Sequence, residues 1–73
     1  MWIDFNGTLF KTEDIIYIDK CYTSQYTQNF YTLKIKTTHT EIIKTYGPTS
    51  KNSKGYAERE KDYETLYKQL KDS

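Results

Sequence analysis

Valine is missing altogether from this chain, and alanine, arginine, proline, cysteine, histidine and tryptophan each occur once among its 73 residues. A single cysteine, Cys21, cannot close an internal disulfide, which excludes a disulfide scaffold and points to a reducing cytoplasm. With His39 the only histidine, the three or four ligands of a zinc site cannot be assembled from soft donors, so no metal or other cofactor is expected. No apolar run approaches the roughly 18 residues that would cross a bilayer as a helix. The opening Met1-Trp2-Ile3-Asp4-Phe5 lacks the basic-then-apolar order of a signal peptide. The expectation is a cytoplasmic chain without membrane contact. A formal charge of +1 removes the bulk electrostatic argument for nucleic acid, and it equally removes the acidic surface of a DNA mimic. So short a chain supports one domain, residues 1–73, and leaves no room for a large enzyme core.

What is present is unusual in kind. Isoleucine, leucine and phenylalanine total 14, while eight tyrosines bring hydroxyls that each need a partner or water. The aromatic share of 16%, together with the near-zero charge, argues for a folded chain rather than a disordered one. Ten lysines, seven isoleucines and eight tyrosines suggest an AT-rich coding sequence, as in a low-GC bacterium or its phage.

Local patterning predicts a small α+β fold, an antiparallel β-meander of four to five strands with one C-terminal amphipathic helix on one sheet face. Asn6-Gly7 sits between two short alternating runs and signals a type I′ hairpin, since both central positions need positive φ. That register sets Phe5 against Thr8 and Ile3 against Phe10, placing Ile3, Phe5 and Phe10 on one face and Trp2, Asp4 and Leu9 on the other. Ile15 to Tyr22 reads as a strand, residues 23–29 as the polar tip of a long hairpin, and Phe30 to Thr37 as the return strand. In the return strand Tyr31, Leu33 and Ile35 point inward, with Thr32, Lys34 and Lys36 outward. A turn near Thr38-His39 leads to Glu41–Tyr46, with Ile35 facing Ile42 and Lys36 facing Glu41. The meander thus covers residues 1–46, a loop residues 47–55 and the helix residues 56–71. Tyr63, Leu66, Tyr67 and Leu70 form the helix's inner stripe. Glu58, Lys61, Asp62, Glu64, Lys68 and Lys71 lie opposite, with acids early and lysines late, as the helix dipole favours.

Binding candidates come from the tyrosines interleaved with lysines. Tyr22, Tyr26 and Tyr31 combine with short polar side chains in a stretch, Tyr22 to Thr32, that carries no formal charge. Such a segment resembles a paratope, giving contact area at small entropic and desolvation cost. Lys34 and Lys36 beside the Tyr rings offer the alternative of stacking unpaired bases, that is, a single-stranded nucleic acid or a nucleotide. Trp2, with Leu9 and Ile43, would face water on the second side of the meander, and a contiguous patch of this kind marks a contact surface. A homodimer, higher oligomer or foreign protein partner is expected there. The loop lysines Lys51 and Lys54 lack P-loop spacing and read as a solvated connection.

The segment Ile3-Asp4-Phe5-Asn6-Gly7-Thr8-Leu9-Phe10 resembles the first motif of the haloacid-dehalogenase-like phosphatases, in which an aspartate nucleophile ends a strand and a second acid protonates the leaving oxygen. Carried over, Asp4 would be the nucleophile, but Asn6 stands at the acid position and cannot shuttle a proton. That family also needs a doubly wound parallel sheet, for which this chain has no space, so the segment is read as a hairpin with an exposed Asp4 and the chain as no enzyme. Across its whole length the pattern resembles small uncharacterised phage and mobile-element proteins, which open on an aromatic-Ile-x-Phe-Asn-Gly strand and close on a Tyr/Glu/Lys-rich helix. The resemblance implies a small non-enzymatic binding protein, an anti-defence inhibitor or adaptor that occludes or sequesters a protein target in the host cytoplasm.

Overall fold

The structure is a computed structural model that describes residues 1–50 and 54–72. Strands β1 (Trp2–Phe5) and β2 (Thr8–Lys11) form one antiparallel hairpin, and a single 3-10 turn, Thr12–Asp14, leads out of it. Strands β3 (Ile15–Gln25), β4 (Gln28–Thr37) and β5 (Glu41–Pro48) form a second antiparallel sheet with β4 in the middle. The helix α1 spans Lys54–Asp72. The chain is therefore a small α+β fold whose helix packs on its sheet.

The alternation read from the sequence places the core. Ile3, Phe5 and Phe10 from the first hairpin, Leu33, Ile35 and Ile42 from the second sheet, and Leu66 from α1 bury against one another. The hairpin and the helix thus share one side of the three-stranded sheet. The registers Phe5 with Thr8, Ile3 with Phe10, Ile35 with Ile42 and Lys36 with Glu41 are all present.

Several expectations are corrected. The meander is divided into two hydrogen-bonded sheets, because the 3-10 turn after β2 breaks the ladder before β3 begins. Trp2 and Leu9 accordingly lie on the outer side of the hairpin, whereas Ile43 lies on the helix-free face of the second sheet, and they do not share a face. The tip of the long hairpin is shorter than residues 23–29. The β3–β4 ladder continues to Gln25 opposite Gln28 and closes with the two residues Tyr26 and Thr27. Where both faces of a ribbon are wet no apolar alternation is required, and threonine and tyrosine favour extended backbone there. Thr32 points away from the helix as expected but is only 1% exposed. Its short side chain lies in the central strand, and its hydroxyl meets that of Thr23 at 2.8 Å.

The helix begins earlier than residue 56, and β5 extends through Gly47 and Pro48, which shortens the connection. Lys51 lies outside the described residues, and Lys54 is the first residue of α1. With that start no acid falls in the first helical turn, while Lys71 remains in the last. Gly55 is required by close approach: a Cβ there would come 2.8 Å from the Gly47 Cα and closer still to its nitrogen. The buried stripe of α1 also differs. Tyr67 is exposed and stacks on Tyr63 at 6.2 Å, whereas Arg59 and the half-buried Asp62 turn toward the sheet.

Candidate functional site

The six binding candidates fall in four separate places. Tyr22 and Tyr31 are cross-strand partners on the helix side of the sheet, with ring centroids 5.8 Å apart. Tyr31 also meets Tyr56 of α1 edge-on at 5.6 Å. Between these rings sits Arg59, whose guanidinium carbon lies 5.2, 5.0 and 5.7 Å from the Tyr22, Tyr31 and Tyr56 centroids. Arg59 is 4% exposed, and its Nη1 donates to the Cys21 carbonyl at 2.7 Å. A planar guanidinium suits this position because it loses less on desolvation than an ammonium and stacks on aromatic faces. Tyr22 and Tyr31 are therefore engaged by the protein's own arginine, which pins the start of α1 to the β3–β4 ladder.

Two more polar clamps follow along the helix. Lys20 pairs with Glu60 at 3.0 Å and lies 4.6 Å from the Tyr63 ring. The Glu60 carboxylate holds the Lys20 ammonium above its ordinary pKa. Asp62 accepts from Lys44 Nζ at 2.9 Å and from the Tyr46 hydroxyl at 2.6 Å. Burial acts to raise the Asp62 pKa, but the bonds from Tyr46 and Lys44 outweigh it and hold the carboxyl below the usual range. Burial first, and then the hydrogen bond to Asp62, push the Tyr46 phenol far up. Partial burial likewise pushes the Cys21 thiol up.

Tyr26 stands apart. It occupies the β3–β4 turn, is 92% exposed, and has φ of 49°, followed by Thr27 at 63°. Left-handed backbone at an aromatic and then a β-branched residue is strained. The ring is thereby presented at the end of a ten-residue ladder, roughly 30 Å from the other end of the sheet.

Lys34 and Lys36 lie on the helix-free face. Lys34 stands opposite Asp19 of β3 and Ile43 of β5, and Lys36 opposite Tyr17 and Glu41. Each lysine thus has an acid across the strand. Trp2 lies at the far end of the molecule from Tyr26, on the outer side of the first hairpin, 5.2 Å from Lys11 Nζ. Asp4, opposite Leu9, is exposed on the same side of that hairpin, and the strand pairs among the described residues are all antiparallel.

Two features escaped the sequence. Arg59 lies four residues before Tyr63 and seven before Leu66, so extending the apolar stripe toward the amino end would have marked it as inward. The cleft beside Trp2, lined also by His39 and Asp14, joins residues far apart in the chain and has no local signal. Among the described residues no group of three or more His, Cys, Asp and Glu side chains could hold a metal ion, and no helix is long and apolar enough to cross a membrane. Compared with protein families, curated proteins and solved structures, the chain finds no match.

Proposed function

We propose that this chain is a non-enzymatic binding protein, of the inhibitor or adaptor kind carried by phages and mobile elements. It occludes or sequesters a host protein in the cytoplasm, with the tip of the β3–β4 hairpin as its contact. The observation that carries the reading is Tyr26, an almost fully exposed aromatic in a strained left-handed turn where nothing in the core requires it. Strain of this kind persists when the surrounding structure over-determines it, and it concentrates at recognition sites. The strands are paired up to Gln25 and Gln28, and the tip carries no formal charge, so no ion has to leave water on docking.

The nucleic-acid alternative on the Tyr/Lys face has less support. Lys34 and Lys36 each stand opposite an acid, Lys20 and Lys44 are in ion pairs, and Tyr22 and Tyr31 are stacked with Arg59. Self-association belongs to the same proposal. Tyr17 and Ile43 are exposed on the helix-free face, and a dimer at micromolar concentration would cover them. Sedimentation of an 8.8 kDa species alone would leave that face to the foreign target.

The test is capture from nuclease-treated host lysate by the wild-type chain and by Tyr26→Ala. The expected result is a protein held by the wild type and released at least about 1 kcal/mol more readily by the variant, with unchanged thermal stability. Affinity should fall by less than about tenfold between roughly 50 and 200 mM salt. Capture indifferent to Tyr26→Ala would overturn the assignment of the tip. Capture lost on nuclease treatment, or a steeper salt dependence, would replace the protein target with nucleic acid.

A further inference from the structure

We propose that the cleft between the outer side of the β1–β2 hairpin and the β4–β5 turn is a small-molecule site for a ligand joining a planar ring to a phosphate, that is, a mononucleotide unit. The cleft encloses about 350 Å³, within the range of small-molecule sites. It lies at the opposite end of the molecule from Tyr26 and does not depend on the hairpin tip.

Its walls come from three elements. Trp2, Leu9 and Lys11 line it from the hairpin, Asp14 from the 3-10 turn, and Thr37, His39 and Thr40 from the β4–β5 turn. The β4–β5 turn is fixed from within. The Thr37 hydroxyl accepts from the His39 and Thr40 backbone N–H groups at 3.2 and 2.9 Å and donates to the Thr40 carbonyl at 3.0 Å. The Thr38 N–H donates to the Asp14 carbonyl at 2.9 Å, tying this turn to the 3-10 segment. The hairpin wall is anchored in the same way by the Thr12 N–H on the Met1 carbonyl at 2.8 Å. A site whose backbone is already ordered loses little on binding.

The side chains it gathers are the chain's only tryptophan, its only histidine, a lysine and an aspartate. Trp2 is 58% exposed and Leu9 62% exposed, so an apolar platform faces water with no core function. A flat ring laid on the indole would cover it, and stacking of this kind accepts any base. Lys11 Nζ lies over that indole, 5.2 Å from its centroid, and forms no ion pair among the described residues, so the platform carries its own cation, which can turn to a phosphate as a base takes its place on the ring. Across the cleft His39 Nε2 faces Asp14 Oδ2 at 3.8 Å. Asp14 can accept from a ribose hydroxyl or a base amino group, and His39 can donate to a phosphate oxygen. Platform, cation and acceptor together match a nucleotide better than a purely apolar or purely anionic ligand.

Because Trp2 is the only tryptophan, intrinsic indole fluorescence reports on this cleft alone. The wild-type chain is titrated with the ribonucleoside monophosphates, the matching nucleosides, inorganic phosphate and a short oligothymidylate. Saturable quenching by at least one monophosphate is expected, with its nucleoside and phosphate alone weaker by about tenfold or more. Lys11→Ala should weaken the monophosphate by about tenfold without altering the thermal unfolding curve, and Tyr26→Ala should leave it unchanged. His39→Ala, at another exposed position, is a second variant expected to weaken binding. Tighter binding of the oligonucleotide than of its own mononucleotide would assign the same chemistry to a strand rather than to a soluble nucleotide. Quenching that never saturates below about 10 mM, equal response to nucleoside and monophosphate, or indifference to Lys11→Ala would each overturn the proposal.

Discussion

The two-residue turns of β1–β2 and β3–β4 share a left-handed backbone and carry opposite residues. At the first, Asn6 and Gly7 take φ of 52° and 80°; at the second, Tyr26 and Thr27 take 49° and 63°. Asparagine and glycine are the residues that reach the left-handed region with least strain, whereas an aromatic and a β-branched residue reach it at about 1–2 kcal/mol each. The ladders behind the turns explain how both are tolerated. Each strand of the first hairpin has four residues, and its turn is tied down by Asn6 Nδ2 donating to the Ile43 carbonyl at 3.2 Å. The second ladder joins strands of 11 and ten residues and can absorb the strain. One turn serves folding. The other carries backbone strain that the proposed contact would explain.

Core truncation at the first hairpin should have the largest effect. Phe10→Ala removes a buried ring between hairpin and sheet and should destabilise by about 3–5 kcal/mol; Leu66→Ala, on the helix side of the same core, by about 2–5 kcal/mol. Chemical denaturation measures both. A loss below about half a kcal/mol for Leu66→Ala would contradict the packing of α1 on the sheet.

Exchanging the turn residues should give effects of opposite sign. Gly7→Ala meets nothing within 4 Å, so its cost is backbone alone, about 1–2 kcal/mol. The double substitution Tyr26→Asn and Thr27→Gly should instead stabilise by about 1–2 kcal/mol while abolishing target binding. Equal destabilisation by both exchanges would erase the distinction between the turns.

These two regions were not equally legible. Asn6-Gly7, the registers of the β1–β2 and β4–β5 pairs and the inward set Ile3, Phe5, Phe10, Leu33, Ile35 and Ile42 follow from alternation and turn chemistry, which act locally. The Tyr26–Thr27 turn was hidden because its residues disfavour the conformation they adopt. Arg59 was hidden because a charged residue on a helix defaults to solvent until three tyrosines from three elements surround it. The candidate tyrosines read as one group in the sequence, and only tertiary structure separates Tyr26 from Tyr22 and Tyr31.

The clamp between α1 and β5 should show a smaller effect, in acid. The Asp62 carboxyl lies below its ordinary pKa in the folded chain, so the unfolded chain binds a proton more readily. Its contribution is complete above the usual aspartate range and is lost as pH falls through the folded value. Unfolding monitored from neutral to strongly acidic pH should show that decline in the wild type and a shallower one in Asp62→Asn. Parallel curves would remove Asp62 from the account of how the helix is held.

The smallest effect is expected two residues before the first turn. Asp4 shares with Asn6 and Gly7 the segment that resembles a phosphatase motif, yet the three residues differ in physical standing. Gly7 is fixed by its φ and Asn6 by its bond to Ile43, whereas Asp4 is exposed on the outer side of the hairpin opposite Leu9. Asp4→Asn keeps the shape of the side chain and removes only its charge. Stability should move by less than about half a kcal/mol, as for a surface substitution away from any special feature. Target capture should be unchanged as well, because a carboxylate on this hairpin faces neither the tip nor an acid partner able to protonate a leaving group. A variant that keeps the wild-type unfolding curve but loses its biological activity would reopen the phosphatase-like reading of this segment.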